Sequence, residues 1–534
     1  MATRISNYKT GSELIAQVPM TNPPAASQEF EQILDSLLAD PPDRESYFQL
    51  LEHIRSPIVF VAEELAKRYM ARPVPLAELE DGFFRQIVRL WTKLAKAYAQ
   101  CAENSPLDSE PSQARRFATL LHRCIHFTGM IILEHHGARR ELPGGLWLDL
   151  HGHYGTAEDL RVATLPVPSL SSAHSETHCA AAYLTFVLCD MAGGYNIELR
   201  DQALVRRWAA SSAGLVDLHT VAVGEKLPPF VIDLMQDIAL RPSAECLRTD
   251  QIRRLEVSRL ADRLSQIRQK LRQGLAPSKL GLGDDCSSTQ CVRLLSHLSR
   301  QWSQARAIRK FRRHKTSGGV EICAGFEEMH YFISGAIFRQ PDGSVREGPL
   351  GVANIRSHRE YEQLFAFGFD SSQRAVQNRQ EAIAAAYQLD TWEMVDQSAN
   401  GFRLIRKVGG RKVAHGQLIA LRPRDSDRFL LAQTTWLMQE NRGGLTVGIR
   451  ALPGLPAAVS ARQVDTADGP GQLYQRAFLL SALGADAKQS LVLPAGWFRP
   501  GRVVEVFTDD AWQVRLTTVL DSGPDFERVA FDVC

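Results

Sequence analysis

Two clusters of polar side chains have the residue types that a nucleotide site requires. The first is the basic segment "RAIRKFRRHK" (306–315), which carries six positive charges in ten residues. The second is "DQSANG", in which Asp396 and Ser398 precede Gly401. A carboxylate can accept hydrogen bonds from the N1–H and amino group of guanine, a hydroxyl both donates and accepts, and an arginine fork holds phosphate through two bonds. Together the clusters fit a guanine nucleotide with exposed phosphates.

Each cluster also has a structural interpretation. Basic residues at a helix end complement the negative C-terminal dipole. An Asp or a Ser in a strand-to-strand connection can cap a turn by bonding to the backbone. The residue types alone leave both interpretations open.

The two clusters together resemble a known domain family. "DQSANG" has the D/N-x-S-x-x-G form of the PilZ domain, and Arg309 and Arg313 supply its preceding RxxxR. Downstream, Trp436 in "TTWLMQ" and Gly448 in "LTVGIRAL" look like the late strands of that family. The helical first half is also similar to that of large proteobacterial proteins with a PilZ-like region near the C-terminus.

PilZ domains are six-stranded barrels that bind cyclic di-GMP, so the resemblance implies that ligand and no cofactor. It implies that Arg309 and Arg313 bind phosphate and the guanine face. Arg312 would take the place of Arg313 if the helix end were shifted by one residue. It implies that the Asp and Ser of "DQSANG" read a guanine edge and that its Gly permits the bend. The ligand-binding residues expected in this way are Arg309, Arg313, Arg312, Asp396, Ser398 and Gly401.

The spacing of the two motifs departs from the family pattern. Arg309 and Asp396 lie 87 positions apart, whereas simple PilZ domains separate the motifs by a few dozen residues. The segment 327–391 contains the helix-like runs "SHREYEQLFAFGF" and "NRQEAIAAAYQL". We therefore expect an insertion in the barrel, which either preserves the ligand surface or covers it.

The apolar period from about 27 to 272 is helical. In "SQEFEQILDSLLADPP", Ser27 is the expected N-cap, and the apolar face consists of Phe30, Ile33, Leu34, Leu37 and Leu38. Residues 250–272 are expected to form one long helix, because their apolar residues follow a single stripe. The Arg and Lys residues of that helix fit a solvated face better than contact with nucleic acid.

After about 315, short β-rich runs alternate with turn residues. Six runs from "VEICAGF" to "LTVGIRAL" predict a small barrel, and five from "RAFLLSAL" to "FERVAFDV" predict a further β unit. The expected fold class is therefore α+β multidomain. The expected domains are a helical bundle or hairpin array at 1–275, a linker and lead-in helix at 276–305, a PilZ-like barrel at 306–452 and a C-terminal β unit at 453–534.

Composition and motifs narrow the functional classes. The formal charge of +2 names no nucleic acid or membrane partner, and the longest apolar run, "CAAAYLTFVLC", is too short to span a bilayer. Nine cysteines without a CxxC pair predict reduced thiols in a cytoplasmic protein. The pairs His122/His126 and His174/His178 lack a third ligand, so no metal site is expected. The sequence contains no P-loop, nucleophile elbow or kinase signature, so an enzyme is not expected.

The sequence therefore predicts a non-enzymatic bacterial signalling protein that senses cyclic di-GMP and has a helical module for a protein partner. The alternative is a scaffold protein whose degenerate barrel binds no nucleotide.

Overall fold

The computed structural model describes residues 4–103, 111–170, 175–222, 224–303, 314–341, 387, 389–398, 400–407, 409–464, 473–482 and 488–534. The chain forms two compact units. Unit 1 comprises Met1–Lys310 and Leu437–Gly443, and unit 2 comprises Phe311–Trp436 and Gly444–Cys534.

Unit 1 is mainly helical. Its apolar core is continuous from the first helix to the last and includes Phe30, Trp91, Phe127 and Trp302, all of them nearly or fully buried. Within the described residues its helices are α1 (Tyr8–Gln17), α2 (Pro23–Ala39), α3 (Arg44–Ala66), α4 (Glu78–Glu103), α5 (Pro111–Gly137), α6 (Leu146–Asp159), α7 (Cys179–Met191), α8 (Leu199–Ser212), α9 (Ser258–Arg272) and α10 (Ser288–Trp302).

Helix α2 has the apolar face that its sequence predicts, but it begins earlier. Phe30, Ile33, Leu34 and Leu37 are buried. The expected N-cap Ser27 is wrong, because the Asn22 side chain accepts the hydrogen bond from the Ala25 N–H and two prolines occupy the first turn. Proline fits there because the first helical N–H groups have no intrahelical acceptor.

A small antiparallel sheet, which the residue pattern did not predict, interrupts the helices. Among the described residues of unit 1 the short strands are β1 (Val167–Pro168), β2 (Glu176–Thr177), β3 (Asp217–Thr220), β4 (Phe230–Asp233), β5 (Arg241–Pro242) and β6 (Ile252–Glu256). The sheet has the order β3-β6-β4-β5, and β1 and β2 form a separate two-stranded pair.

The single helix expected over 250–272 is therefore wrong in its first part. Ile252–Glu256 form β6, which pairs with β3 on one edge and β4 on the other. Ile252, Leu255 and also Arg253 are buried, because both faces of the strand are covered and Arg253 Nε donates to Glu158 Oε2 at 2.7 Å. A strand covered on both faces shows no period-two alternation. Its apolar spacing therefore resembles the helix that follows.

The first half of unit 2 is a closed six-stranded antiparallel barrel in the order β10-β11-β12-β9-β8-β7. Helix α11 (Phe326–Ser334) follows its first strand. The strands are β7 (His314–Ala324), β8 (Asp390–Ser398), β9 (Gly401–Arg406), β10 (Leu418–Pro423), β11 (Leu430–Gln439) and β12 (Leu445–Ala451). All six correspond to runs that the sequence predicted. The helix-like runs expected at 357–369 and 378–389 lie outside the described residues, except for Tyr387 and Leu389, neither of which is in a helix.

The C-terminal part closes a second barrel, in the order β13-β14-β15-β18-β17-β16. Its strands are β13 (Pro456–Gln463), β14 (Gln475–Leu480), β15 (Ser490–Pro494), β16 (Val503–Phe507), β17 (Ala511–Ser522) and β18 (Phe526–Val533). Five of them were expected. The sixth, β13, was missed because Pro456 and small alanines hide its buried Val459 and Ala461. The α+β multidomain fold class is confirmed.

The two barrels share an apolar cluster inside unit 2. Leu418, Phe429 and Leu431 of the first barrel pack in one core with Phe478 and Phe526 of the second. The Leu418 N–H also donates to Asp525 Oδ1 at 3.0 Å. The barrels are therefore one packed body rather than two modules on a flexible tether.

No helix in the described ranges is both long and apolar enough to cross a membrane.

The domain boundary near 275 can be tested with two fragments. Leu294, Leu298 and Trp302 of α10 are buried in the same core as the earlier helices. A fragment ending at 303 is therefore expected to give a sharper and higher thermal transition in circular dichroism than one ending at 275, since only the first retains that packing. Equal melting curves would support the boundary at 275 and contradict a structural role for α10.

Candidate functional site

The structure describes the site residues of the "DQSANG" motif but not the arginines of the basic motif. Arg309, Arg312 and Arg313 lie outside the described residues. The described chain resumes at His314, which directly follows Arg313 in sequence and is the register partner of Gln397 in β8.

The "DQSANG" motif forms the connection between β8 and β9. Ser398 and Gly401 are register partners, so two residues join the strands. The Ser398 Oγ donates to the Gly401 carbonyl oxygen at 3.3 Å. Ser398 therefore closes the hairpin, and the lone pairs of its hydroxyl stay available to accept a bond from a ligand.

Gly401 has a different role from the one expected. Its φ is not in the left-handed region, so the bend does not require glycine at this position. A Cβ atom there would lie 3.0 Å from the Ile449 carbonyl oxygen. Strand β12 therefore approaches closely here, and a larger residue would fit only if the neighbouring backbone moved by a few tenths of an ångström.

Asp396 lies in a row of residues that crosses four strands. Its register partners are Lys315 in β7 and Arg403 in β9, and Arg403 is in turn the partner of Gly448 in β12. Directly opposed residues of antiparallel strands share a face of the sheet. Lys315, Asp396, Arg403 and Gly448 therefore lie side by side on one face.

That face is the outside of the barrel. Met394 and Leu404 are register partners and are buried inside it. The register shifts between Met394 and Asp396, so a β-bulge places Asp396 opposite Arg403. A bulge inserts one extra residue and reverses which side chains face outward. Without the bulge, Asp396 would not lie opposite Arg403.

An indole ring completes the row. The guanidinium carbon of Arg403 lies 6.0 Å from the centre of the Trp436 ring. Trp436 packs directly over Gly448, where a Cβ atom would overlap with the indole Nε1. The outer face thus offers an aromatic surface, two cations and a carboxylate. These groups can stack on a base, bind phosphate and accept the N–H groups of guanine.

The sequence motifs did not identify Arg403 as a site residue, and they placed Lys315 only in the basic cluster. The sequence contains part of the information needed to place Arg403. Counting outward from a two-residue hairpin places Arg403 close to Asp396, but the bulge that fixes the pairing leaves no mark in the residue pattern.

The described histidines of the two pairs pack in the interior or cap a helix. The rings of His122 and His126 lie 6.4 Å apart, and burial is the main cause that lowers the pKa of His122 to about 3. His178 caps α7 by accepting the Ala181 N–H at 3.1 Å, while His174 lies outside the described residues. Across the described ranges, no three His, Cys, Asp or Glu side chains form a metal-binding group.

Three domain models of one receptor family match successive parts of the chain. The N-terminal domain of the cyclic-di-GMP receptor FimW matches residues 9–223, and the FimW C-terminal β-barrel domain matches residues 459–534. Between them, the middle PilZ domain of that receptor matches residues 230–347. The chain contains a PilZ domain.

The chain is also similar over most of its length to the cyclic-di-GMP receptor FimW of Pseudomonas aeruginosa. The two are 25% identical over 503 residues, which cover 86% of this chain and 80% of that protein. No solved structure matches the chain.

The PilZ domain lies in the middle of the chain rather than in its C-terminal half, where the motifs alone placed it. The matched range 230–347 begins in the small sheet of unit 1 and extends past β7 and α11. Strands β8 to β12, which close the barrel and carry "DQSANG", follow that range. The motifs placed the domain too far toward the C-terminus because they mark only the barrel, whereas the matched range begins in the segments that precede it.

Proposed function

We propose that the chain is a non-catalytic receptor that binds cyclic di-GMP on the outer face of the PilZ barrel. The observation that carries the proposal is the row Lys315, Asp396, Arg403 beside the "DQSANG" hairpin. Similarity to a protein described as a cyclic-di-GMP receptor supports it.

In this proposal each group has a separate task. The Asp396 carboxylate accepts hydrogen bonds from the N1–H and the amino group of one guanine. The Ser398 hydroxyl accepts a hydrogen bond from a further donor of the ligand. Arg309 and Arg313 hold phosphate and the guanine face, with Arg312 as the next candidate. Their position in the sequence supports this, since Arg313 precedes His314, the register partner of Gln397.

Arg403 and Trp436 extend the surface beyond the residues that the PilZ motif supplies. The guanidinium group can bind a phosphate or the O6 and N7 atoms of guanine. Its Nε has no hydrogen-bond partner among the described residues. A ligand oxygen would satisfy this buried donor, which otherwise costs free energy.

The helical unit is proposed to pass the signal to a protein partner. Large apolar side chains stand exposed on it, among them Phe60 and Leu79, the latter 71% exposed. Aromatic and aliphatic side chains of this kind are frequent anchors in protein interfaces. The nine free cysteines support action in the reducing cytoplasm.

Isothermal titration calorimetry with nucleotide-free protein tests the proposal. Cyclic di-GMP is expected to bind, and cyclic di-AMP to bind more weakly, because adenine lacks the N1–H and N2 donors that Asp396 accepts. Folded protein that gives no heat with cyclic di-GMP at high micromolar concentration would instead be a scaffold with a degenerate barrel.

A further inference from the structure

Two cysteine side chains lie against each other at the start of helix α10 in the helical unit. The Sγ atoms of Cys286 and Cys291 are 2.6 Å apart. Cys291 is fully buried, and Cys286 is 9% exposed. A disulfide bond is about 2.0 Å long, so the two sulfur atoms need to approach by only about 0.6 Å to form one.

The cap of α10 brings the two thiols together. Ser287 is the N-cap, and its side chain accepts a hydrogen bond from the Gln290 N–H at 3.2 Å. Cys286 therefore precedes the N-cap, and Cys291 is the fourth residue of the helix. Apolar residues at these two positions often pack together as a hydrophobic staple. Leucine or valine could supply such a contact, whereas two cysteines also permit a reaction between the side chains.

The segment before α10 is fixed onto α8. Arg207 Nη2 and Trp208 Nε1 both donate to the Leu282 carbonyl oxygen, at 2.8 and 3.0 Å. Arg207 also donates from two nitrogens to the Asp285 carboxylate, at 2.6 and 2.9 Å. Cys286, the next residue, is therefore held beside its partner thiol before any reaction takes place. Such positioning favours a reaction within the chain over one with an external thiol.

The two thiols differ in how readily they react. Cys286 is the more exposed, so a small oxidant reaches it first. Burial raises the pKa of Cys291 to about 12, with further contributions from the hydrogen bond and the charge of Cys286. Oxidation of Cys286 removes the thiolate charge from this site, so Cys291 loses its proton more easily at that stage. Cys286 is therefore the attacking thiol, and Cys291 is the resolving thiol.

We propose that Cys286 and Cys291 form a reversible oxidation site for a small peroxide such as hydrogen peroxide. The Cys286 thiolate attacks one peroxide oxygen and the O–O bond breaks, which gives a sulfenic acid and a hydroxide that takes up the proton lost by the thiol. The Cys291 sulfur then attacks the Cys286 sulfur, and the S–O bond breaks as a second water leaves with the Cys291 proton. Two thiols are oxidised to one disulfide, and one hydrogen peroxide is reduced to two waters. Transient disulfides of this kind are typical of redox-sensing proteins in reducing surroundings.

Peptide mapping of the full chain tests this, because one tryptic peptide, 280–293, contains both cysteines. Reduced protein is treated with hydrogen peroxide under native conditions, and the remaining thiols are alkylated with N-ethylmaleimide in denaturant. The peptide is expected to lose two hydrogen atoms and to carry no maleimide. Dithiothreitol added before alkylation should restore both labels. Unchanged circular dichroism after treatment checks that the folded chain has reacted.

Two other cysteines serve as internal controls. Cys534 is exposed, so its oxidation shows that the peroxide has acted. Cys189 is 5% exposed and should keep its maleimide label, since burial protects a thiol that has no resolving partner. If peptide 280–293 carries two labels while Cys534 is oxidised, the proposal is wrong. Further oxidation of Cys286 with Cys291 still labelled would also overturn it.

Two serine variants separate the two steps, and their melting curves check that they fold. Cys291→Ser cannot resolve the intermediate, so dimedone should trap a sulfenic acid on Cys286. Wild-type protein should give little dimedone adduct, because the disulfide forms first. Cys286→Ser should leave Cys291 labelled with maleimide after the same treatment, since that thiol is fully buried. Equal dimedone adducts on Cys286 in wild-type protein and in Cys291→Ser would contradict the resolving role of Cys291.

Discussion

Replacing Arg309 or Arg313 with alanine is expected to weaken cyclic di-GMP binding at least ten- to a hundredfold. Each arginine is proposed to form charge-assisted bonds to phosphate and to contact the guanine face, and one such bond is worth about 1.5–3 kcal/mol. About 1.4 kcal/mol corresponds to a factor of ten in Kd. Calorimetry at several salt concentrations should also show a smaller salt dependence for either variant, because fewer phosphate charges are neutralised.

Two further substitutions in the same titrations separate base reading from phosphate binding. Asp396→Ala should weaken binding by a similar factor and leave the salt dependence unchanged, since it removes a contact to guanine. Arg312→Ala is the matched control in the basic segment and should have a smaller effect. If Asp396→Ala lowers the melting temperature but leaves nucleotide affinity intact, the carboxylate only stabilises the bulged strand.

Replacing Arg123 with methionine is expected to destabilise the helical unit by about 3–5 kcal/mol. The Arg123 side chain is fully buried, and its Nε and Nη2 donate to Glu52 at 3.0 and 3.2 Å. Its Nη1 donates to the Pro168 carbonyl oxygen at 3.0 Å, so one guanidinium joins α3, α5 and β1. Methionine keeps the length of the side chain but leaves the partly buried Glu52 carboxylate with only Arg55 and Tyr98 as partners among the described residues.

Denaturant unfolding followed by circular dichroism measures this difference. The matched control is Arg259→Met, because the Arg259–Asp217 pair has a similar 2.6 Å distance but is 55% and 45% exposed. Exposed pairs contribute about 0–1 kcal/mol. An Arg123→Met variant no less stable than the control would show that the buried pair contributes nothing net.

The effect of Arg123 also depends on pH in a defined direction. Burial alone would raise the pKa of Glu52, but the hydrogen bond and charge of Arg123 outweigh it, so the pKa is lowered from its usual 4.5. A lowered pKa stabilises the folded state above the unfolded pKa, and this contribution is lost as the pH falls through the folded value. The stability difference between wild type and Arg123→Met should therefore shrink below about pH 4.5.

The sequence by itself determined the division into a helical part and a β-rich part, and it located the polar hairpin. These features follow from local periods: apolar residues three or four apart mark a helix face, and residues two apart mark a strand face. The buried face of α2 and the six strands of the first barrel were readable for that reason. Strands β6 and β13 were not, since both faces of β6 are covered and small residues mask β13.

Only the tertiary structure decided which polar side chains stand together. Lys315 and Asp396 lie far apart in sequence but are register partners, and a bulge sets Asp396 against Arg403. The tight space beside Gly401 likewise comes from the Ile449 carbonyl oxygen, which belongs to a strand from elsewhere in the chain. A residue's type records what it can bind. Register and packing, which depend on contacts between distant segments, decide what it lies beside.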